Sequence, residues 1–352
     1  MKIETIGTDG FTRRKEKLSS LTRRKEKLSS LTRRKEKLSS LTRRKEKLSS
    51  LTRRKEKLSS LTRRKEKLSS LTRRKEKLSS LTRQTLLLAI IISPLLAFTQ
   101  GGYRITPDVV YGHKAGMALT YDVFQPAGPA NGAGLIHLVS GGWNSRYNPP
   151  DSVVEDYKPY LDSGFTVFAL RHGSSPTFKL PETVDDVILG AWQIRRNAHR
   201  FGVDSLRLGI FGGSSGGHLS LMAGLSGERH PVSAIVAFFP PVDLRNIPDF
   251  MKTMFPAFDF DTTLAAGISP VLFASPDDPP TLLIHGDKDF VVAPRQSERM
   301  IAALEENSVV SQLIVYEGMG HGNSYGAKGK YYEESTRETI GWFRKYLVDP
   351  YK

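Results

Sequence analysis

The sequence contains no cysteine. Disulfides, cysteine-ligated metals and thiol catalysis are therefore excluded. The compartment stays open, because a chain of 352 residues can bury enough surface without disulfides. Long hydrophobic runs are scarce too. The apolar run Leu86–Phe98 is interrupted by Ser93 and Pro94 and falls short of the ~20 residues of a comfortable membrane span. No nucleic-acid-binding motif is present, although the net charge of +16 would by itself suggest such a partner.

The location of that charge removes the suggestion. Residues 11–80 are seven near-identical decads of the form Leu-Thr-Arg-Arg-Lys-Glu-Lys-Leu-Ser-Ser, the first opening on Phe11. Each carries four basic residues and one acidic residue, so the seven hold +21 and the rest of the chain −5. Only two residues in ten are strongly apolar, and the leucine stripe drifts around a helix from one decad to the next. Such a unit has no core to stack and cannot offset its ordering entropy. Residues 1–82 are expected to form a disordered basic arm, with binding to anionic lipid or nucleic acid as the functional alternative.

Residues 83–99 combine Arg83, the short apolar run and the small residues Ala97 and Thr99, the pattern of a secretory signal. A secreted or periplasmic location follows as an expectation. An uncleaved anchor through residues 85–98 and a buried helix are the alternatives, and the anchor would be the chain's one membrane contact.

Residues 100–352 read as one catalytic domain. Strands are expected at Leu119–Phe124, Gly134–Val139, Phe165–Leu170, Leu206–Phe211, Ala234–Phe239, Thr281–His285 and Gln312–Tyr316. Several are continuously apolar, as strands covered on both faces are. Helices fall between them near Val153–Ser163, Glu182–His199, Gly217–Leu225, Pro294–Glu306 and Tyr331–Leu347. The alternation predicts an α/β fold, a mostly parallel central sheet flanked by helices. Residues 244–278 break the rhythm and suit a small cap inserted over a site.

Leu208–Phe211 leads into Gly212-Gly213-Ser214-Ser215-Gly216-Gly217-His218 and then an apolar helix. In this strand–turn–helix context a G-x-S-x-G match gains meaning, because a serine on a sharp turn needs tiny neighbours. Two frames fit. One makes Ser214 the nucleophile, the other Ser215; the first leaves two glycines to open the helix and is preferred. A phosphate loop does not fit, since no Lys-Ser/Thr follows the glycines. Serine needs a base to take its proton. His321, in Gly318-Met319-Gly320-His321-Gly322 after a strand, is the expected base. Asp289, in His285-Gly286-Asp287-Lys288-Asp289, is the expected orienting carboxylate, with Asp287 as its rival. Oxyanion donors are expected from the backbone of Ser215, Gly141 and Gly142, the glycines lying in the loop after Gly134–Val139. His137 is expected to be packed in its strand. Capping or loop hydrogen bonds are expected for His172, His218 and His285, and a turn for Asp243. No cofactor or metal is called for.

Together these residues resemble the α/β-hydrolase superfamily. Within it they resemble the bacterial esterase/lipase group related to hormone-sensitive lipase and to acetyl-xylan and feruloyl esterases. The likeness spans roughly Val123–Leu347. The family's Gly-x-Ser-Ala-Gly-Gly elbow aligns with Gly212–Gly217, its His-Gly-x-x-Asp turn with His285–Asp289, and its Gly-His-Gly with Gly320–Gly322. Its HGGGW-type loop aligns with Val139-Ser140-Gly141-Gly142-Trp143, where the His and first Gly are replaced. The resemblance implies a serine carboxylic ester hydrolase working through an acyl-enzyme on small-molecule or carbohydrate esters. Acetyl or feruloyl groups are candidate acyl groups. A prolyl-oligopeptidase-type peptidase and a non-catalytic binding protein are the competing readings. The first usually carries a large N-terminal propeller, and the second has no need of an intact trio.

Overall fold

A computed structural model of the chain describes residues 98–351, apart from positions 101, 228, 248, 324, 327 and 328. The decad arm and the signal-like segment up to Ala97 lie outside the described residues. The last two residues of that segment, Phe98 and Thr99, open the first strand.

Nine strands form one sheet: β1 (Phe98–Gln100), β2 (Tyr103–Lys114), β3 (Met117–Gln125), β4 (Gly134–Leu138), β5 (Thr166–Leu170), β6 (Leu208–Gly213), β7 (Ala234–Phe238), β8 (Thr281–Gly286) and β9 (Ser311–Tyr316). Their spatial order is β1-β2-β3-β5-β4-β6-β7-β8-β9. The pairs from β5 to β9 are parallel, and β1, β2 and β3 join antiparallel at one end. Every residue of β5, β6, β7 and β8 is buried. Continuous burial is what helices on both faces impose, and it explains why these strands appear in the sequence as unbroken apolar runs.

The helices are α1 (Pro150–Asp162), α2 (Leu180–Asn197), α3 (Ser215–Leu225), α4 (Asp249–Met254), α5 (Arg295–Glu306) and α6 (Tyr332–Phe343). One face of the sheet packs Ile136, Ile210, Ile235 and Leu283 against α2, α3 and α5. The other packs Leu135, Phe211, Val236 and Ile284 against α1 and α6. In α2, Val184, Val187 and Ala191 are buried and Ile188 is half-buried; Ala198 is buried in the following 3-10 turn, which Gly202 closes in a left-handed conformation. Residues 244–278, the stretch expected as a cap, form α4 and three short 3-10 helices and no regular element of any length.

The sheet reverses its winding between β4 and β6. Chain order runs outward from β4 to β5 on one side and from β6 to β9 on the other. Loops leaving the carboxyl ends of β4 and β6 therefore face each other across a crevice, where ligands bind in open α/β sheets.

Candidate active site

β6 ends in a turn that no ordinary backbone makes. Ser214 sits at φ 55°, ψ −119°, and α3 begins at the next residue. A side chain on a left-handed residue is strained, and such outliers point to function. The flanking glycines are dictated by the same turn. A Cβ on Gly212 would lie 2.6 Å from the carbonyl carbon of Gly216, and one on Gly216 would lie 2.9 Å from the carbonyl oxygen of Leu138. Gly213 and Gly217 are as tightly hemmed in, so it is the turn itself, with Ser214 at its apex, that favours the frame Gly212-x-Ser214-x-Gly216. Ser215 is instead fully buried in the first turn of α3.

The Ser214 hydroxyl lies 3.0 Å from His321 Nε2, and His321 Nδ1 lies 2.7 Å from Asp289 Oδ2. Three residues distant in sequence are thus brought into one hydrogen-bonded line at the carboxyl edge of the sheet. Asp289 is buried and also accepts from the N–H groups of Val291 and Val292, each at 2.9 Å. Burial alone would raise its pKa and is the largest influence. Hydrogen bonds from His285, His321 and the Val292 N–H outweigh it and hold the carboxyl well below the usual range. An ionised Asp289 accepts only, so His321 Nδ1 carries a proton and Nε2 accepts from Ser214. Asp287 is not on this line. It accepts from the Gly318 N–H at 2.6 Å and shapes the turn between the β8 and β9 loops.

His285 supports the carboxylate from below. Its Nδ1 accepts from Ser297 at 2.7 Å, and its Nε2–H donates to the Val292 carbonyl at 2.9 Å and lies 3.4 Å from Asp289 Oδ2. His172 Nδ1 bonds the Gly173 carbonyl. His218 spans from the loop after β4 to the cap. All three thus make loop hydrogen bonds. His137 is packed as expected, between the hydroxyls of Tyr157 at 2.8 Å and Tyr325. Asp243 bonds the backbone and guanidinium of Arg245 and pairs with Arg299.

The oxyanion expectation changes in one respect. Gly141 N–H donates to the Asn144 carbonyl at 2.9 Å, and the Asn144 N–H returns the bond at 3.0 Å. The turn closes on itself and uses that donor, which corrects the assignment of Gly141. Gly142 and Ser215 remain. Ser215 N–H opens α3 and has no carbonyl four residues back to receive it, and the helix's positive end favours an anion there. Ser140 Oγ and Ser215 Oγ lie 3.0 Å apart, so the β4 loop does reach the elbow.

Two further aromatic residues at the site are not among the expected site residues. The Phe239 ring packs edge-on against the His321 imidazole at 4.7 Å between centroids. Tyr325, four residues beyond His321, rests its ring on Phe238 and Gly213 and its hydroxyl on His137, which ties the base-bearing loop beneath the elbow. Proximity to His321 could have marked Tyr325; nothing local marks Phe239.

A strand–elbow–helix with a Ser-His-Asp line on a doubly covered, mostly parallel sheet defines the α/β-hydrolase fold. Thermogutta terrifontis esterase 2 shares it. Its sarin-phosphonylated form superposes with a TM-score of 0.59 at 18% identity, covering 68% of this chain and 94% of that one. Its propionate-bound form gives 0.57 at 19%, covering 70% and 94%. The chain belongs to the BD-FAE family, whose model matches residues 121–304. Among curated proteins of Mycobacterium tuberculosis it resembles esterase LipQ, 25% identical over 57% of this chain and 53% of that protein. It also resembles the probable carboxylic ester hydrolase LipM, 28% identical over 61% and 54%. The chain thus spans about half the length of the curated relatives it matches.

Proposed function

We propose that the chain is a serine carboxylic ester hydrolase acting through an acyl-enzyme. The continuous line from Ser214 through His321 to Asp289 carries this reading. Ser214 Oγ attacks the ester carbonyl as His321 Nε2 takes its proton. Asp289 stabilises the imidazolium and holds the ring in register. The N–H groups of Gly142 and Ser215 receive the developing oxyanion. Collapse expels the alcohol, protonated by His321, and water then repeats the sequence on the acyl-enzyme. Relatives named as esterases support the reaction class.

Turnover of a p-nitrophenyl ester series by the wild type and Ser214→Ala tests it. Paraoxon, a phosphoryl electrophile, should add one phosphoryl group at Ser214. Equal turnover by both proteins removes the nucleophile assignment. Cleavage of prolyl-peptide anilides with no ester turnover favours the peptidase reading instead. No turnover and no phosphorylation leaves a binding scaffold.

The finer reading is an acetyl or feruloyl ester of a carbohydrate. The resemblance in the motifs supports it. So does a cavity of about 580 Å³ beside His321, walled by Tyr157, Tyr160, Phe211, Phe238, Tyr325 and Tyr332. Aromatic walls suit sugar or phenolic rings. Acetylated sugars, feruloylated sugars and long acyl esters compared on one preparation decide it. Export rests on the composition of residues 83–99, and a mature product starting near Gln100 is the expected result of N-terminal sequencing.

A further inference from the structure

The loop that supplies Gly142 cannot hold its shape alone. Gly142 and Trp143 both lie at φ 58°, two consecutive left-handed residues, and the second carries the bulkiest of side chains. A left-handed tryptophan persists only where its surroundings over-determine it. Here the indole is buried, 3% exposed. Its Nε1–H donates to His218 Nδ1 at 3.2 Å. Indole nitrogen only donates, so His218 must accept on Nδ1 and keep its proton on Nε2. That Nε2–H donates to the Ile268 carbonyl at 2.8 Å, in the cap. The imidazole is fully buried on α3, four residues beyond Ser214, and burial keeps it neutral, as the relay requires. Cap rings complete the clamp. Phe258 meets the Trp143 ring edge-on at 4.7 Å, and Phe255 leaves just 3.0 Å for a Cβ on Gly142.

We infer that His218 is a positioning residue, which with Trp143 fastens the oxyanion-donor loop to both the nucleophile helix and the cap. It touches no reacting atom. The inference rests on the ester-hydrolase reading and adds to it that the cap helps to assemble the oxyanion hole as well as to cover the site.

Three variants test the tie. Trp143→Phe keeps a ring and loses the donor. His218→Phe fills the space and loses both bonds. His218→Gln can accept with its carbonyl and donate with its amide. On p-nitrophenyl acetate, the first two should lose roughly ten- to a hundredfold in kcat, the scale of a 1 Å misplacement. KM should hold within about twofold. Affinity for a trifluoromethyl ketone, which presents an oxyanion, should fall in parallel with kcat. The double variant should be no worse than the worse single, and His218→Gln should recover part of the loss. Changes confined to KM, additive losses, or a Gln variant no better than Phe would overturn the inference.

A readout without turnover separates this from the hydrolase reading. The Gly142 amide resonance in a ¹H–¹⁵N spectrum should move in His218→Phe and Trp143→Phe and return toward the wild-type position in His218→Gln. If it stays put in all three, the tie is wrong. If it moves as expected in a protein that turns over no ester, the tie stands and hydrolysis fails.

Discussion

Two adjacent serines separate cleanly at the level of single residues. Ser214 is half-buried on a left-handed turn with its hydroxyl on His321, whereas Ser215 is sealed in the first turn of α3. Ser214→Ala should lower kcat on p-nitrophenyl acetate by at least about 10³-fold, because nothing else on the line can form the acyl-enzyme. Ser215→Ala removes a hydroxyl that bonds Ser140 and leaves the backbone donor in place. A loss of tenfold or less in the same assay is expected there. Asp289→Asn keeps the shape but replaces an acceptor-only carboxylate with an amide that can donate. His321 then loses the partner that fixes its tautomer, and a kcat drop of about 10²–10⁴-fold is the expected outcome.

The elements respond to a different kind of change. The elbow joins β6 to α3 through backbone contacts, so its glycines tolerate no Cβ: Gly212→Ala would push into Gly216 at 2.6 Å. The variant should lose both activity and several degrees of melting temperature, and a fully active, equally stable Gly212→Ala would contradict this account of the turn. At the antiparallel end, Arg171 follows β5 and bonds Asp122 of β3 and Asp108 of β2. Asp122 is 2% exposed. Arg171→Met strands that carboxylate in the interior, and chemical denaturation should show a loss of about 3 kcal/mol.

For the molecule as a whole, acid sensitivity follows from its buried imidazoles. Burial pushes His137, His172 and His218 each down to about 4. In the unfolded chain they protonate near 6.5, so between these values the unfolded state binds more protons. Their contribution is complete above about pH 6.5 and is lost as pH falls toward 4, at up to ~1.4 kcal/mol per pH unit for each ring. Asp289, held low when folded, extends the loss to still lower pH. Melting temperatures should therefore be level above pH 7 and fall steeply from 6.5 to 4. Replacing His172, whose Nε2 has no partner, should flatten part of that slope.

Much of this was legible in the chain itself. Strands covered on both faces leave unbroken apolar runs, and all seven expected strands formed within a few residues of their expected bounds. The expected start of β6 at Leu206 was early, since Leu206 is 53% exposed and pairing begins at Leu208. β2 left no clear pattern. One side faces water, Pro107 and Gly112 interrupt the alternation, and its register shifts twice against β3. The cap's short 3-10 helices depend on contacts too distant to leave a period.

Local chemistry marked the elbow and the candidacy of His321 and Asp289, because tight turns and proton transfer restrict residue type at each position. Tertiary structure alone put Asp289 rather than Asp287 on one side of His321 and Ser214 rather than Ser215 on the other, committed the Gly141 N–H to Asn144, and set His218 between Trp143 and the Ile268 carbonyl. Those outcomes are distances between segments far apart in the chain, and a sequence specifies such distances only once the sheet has folded.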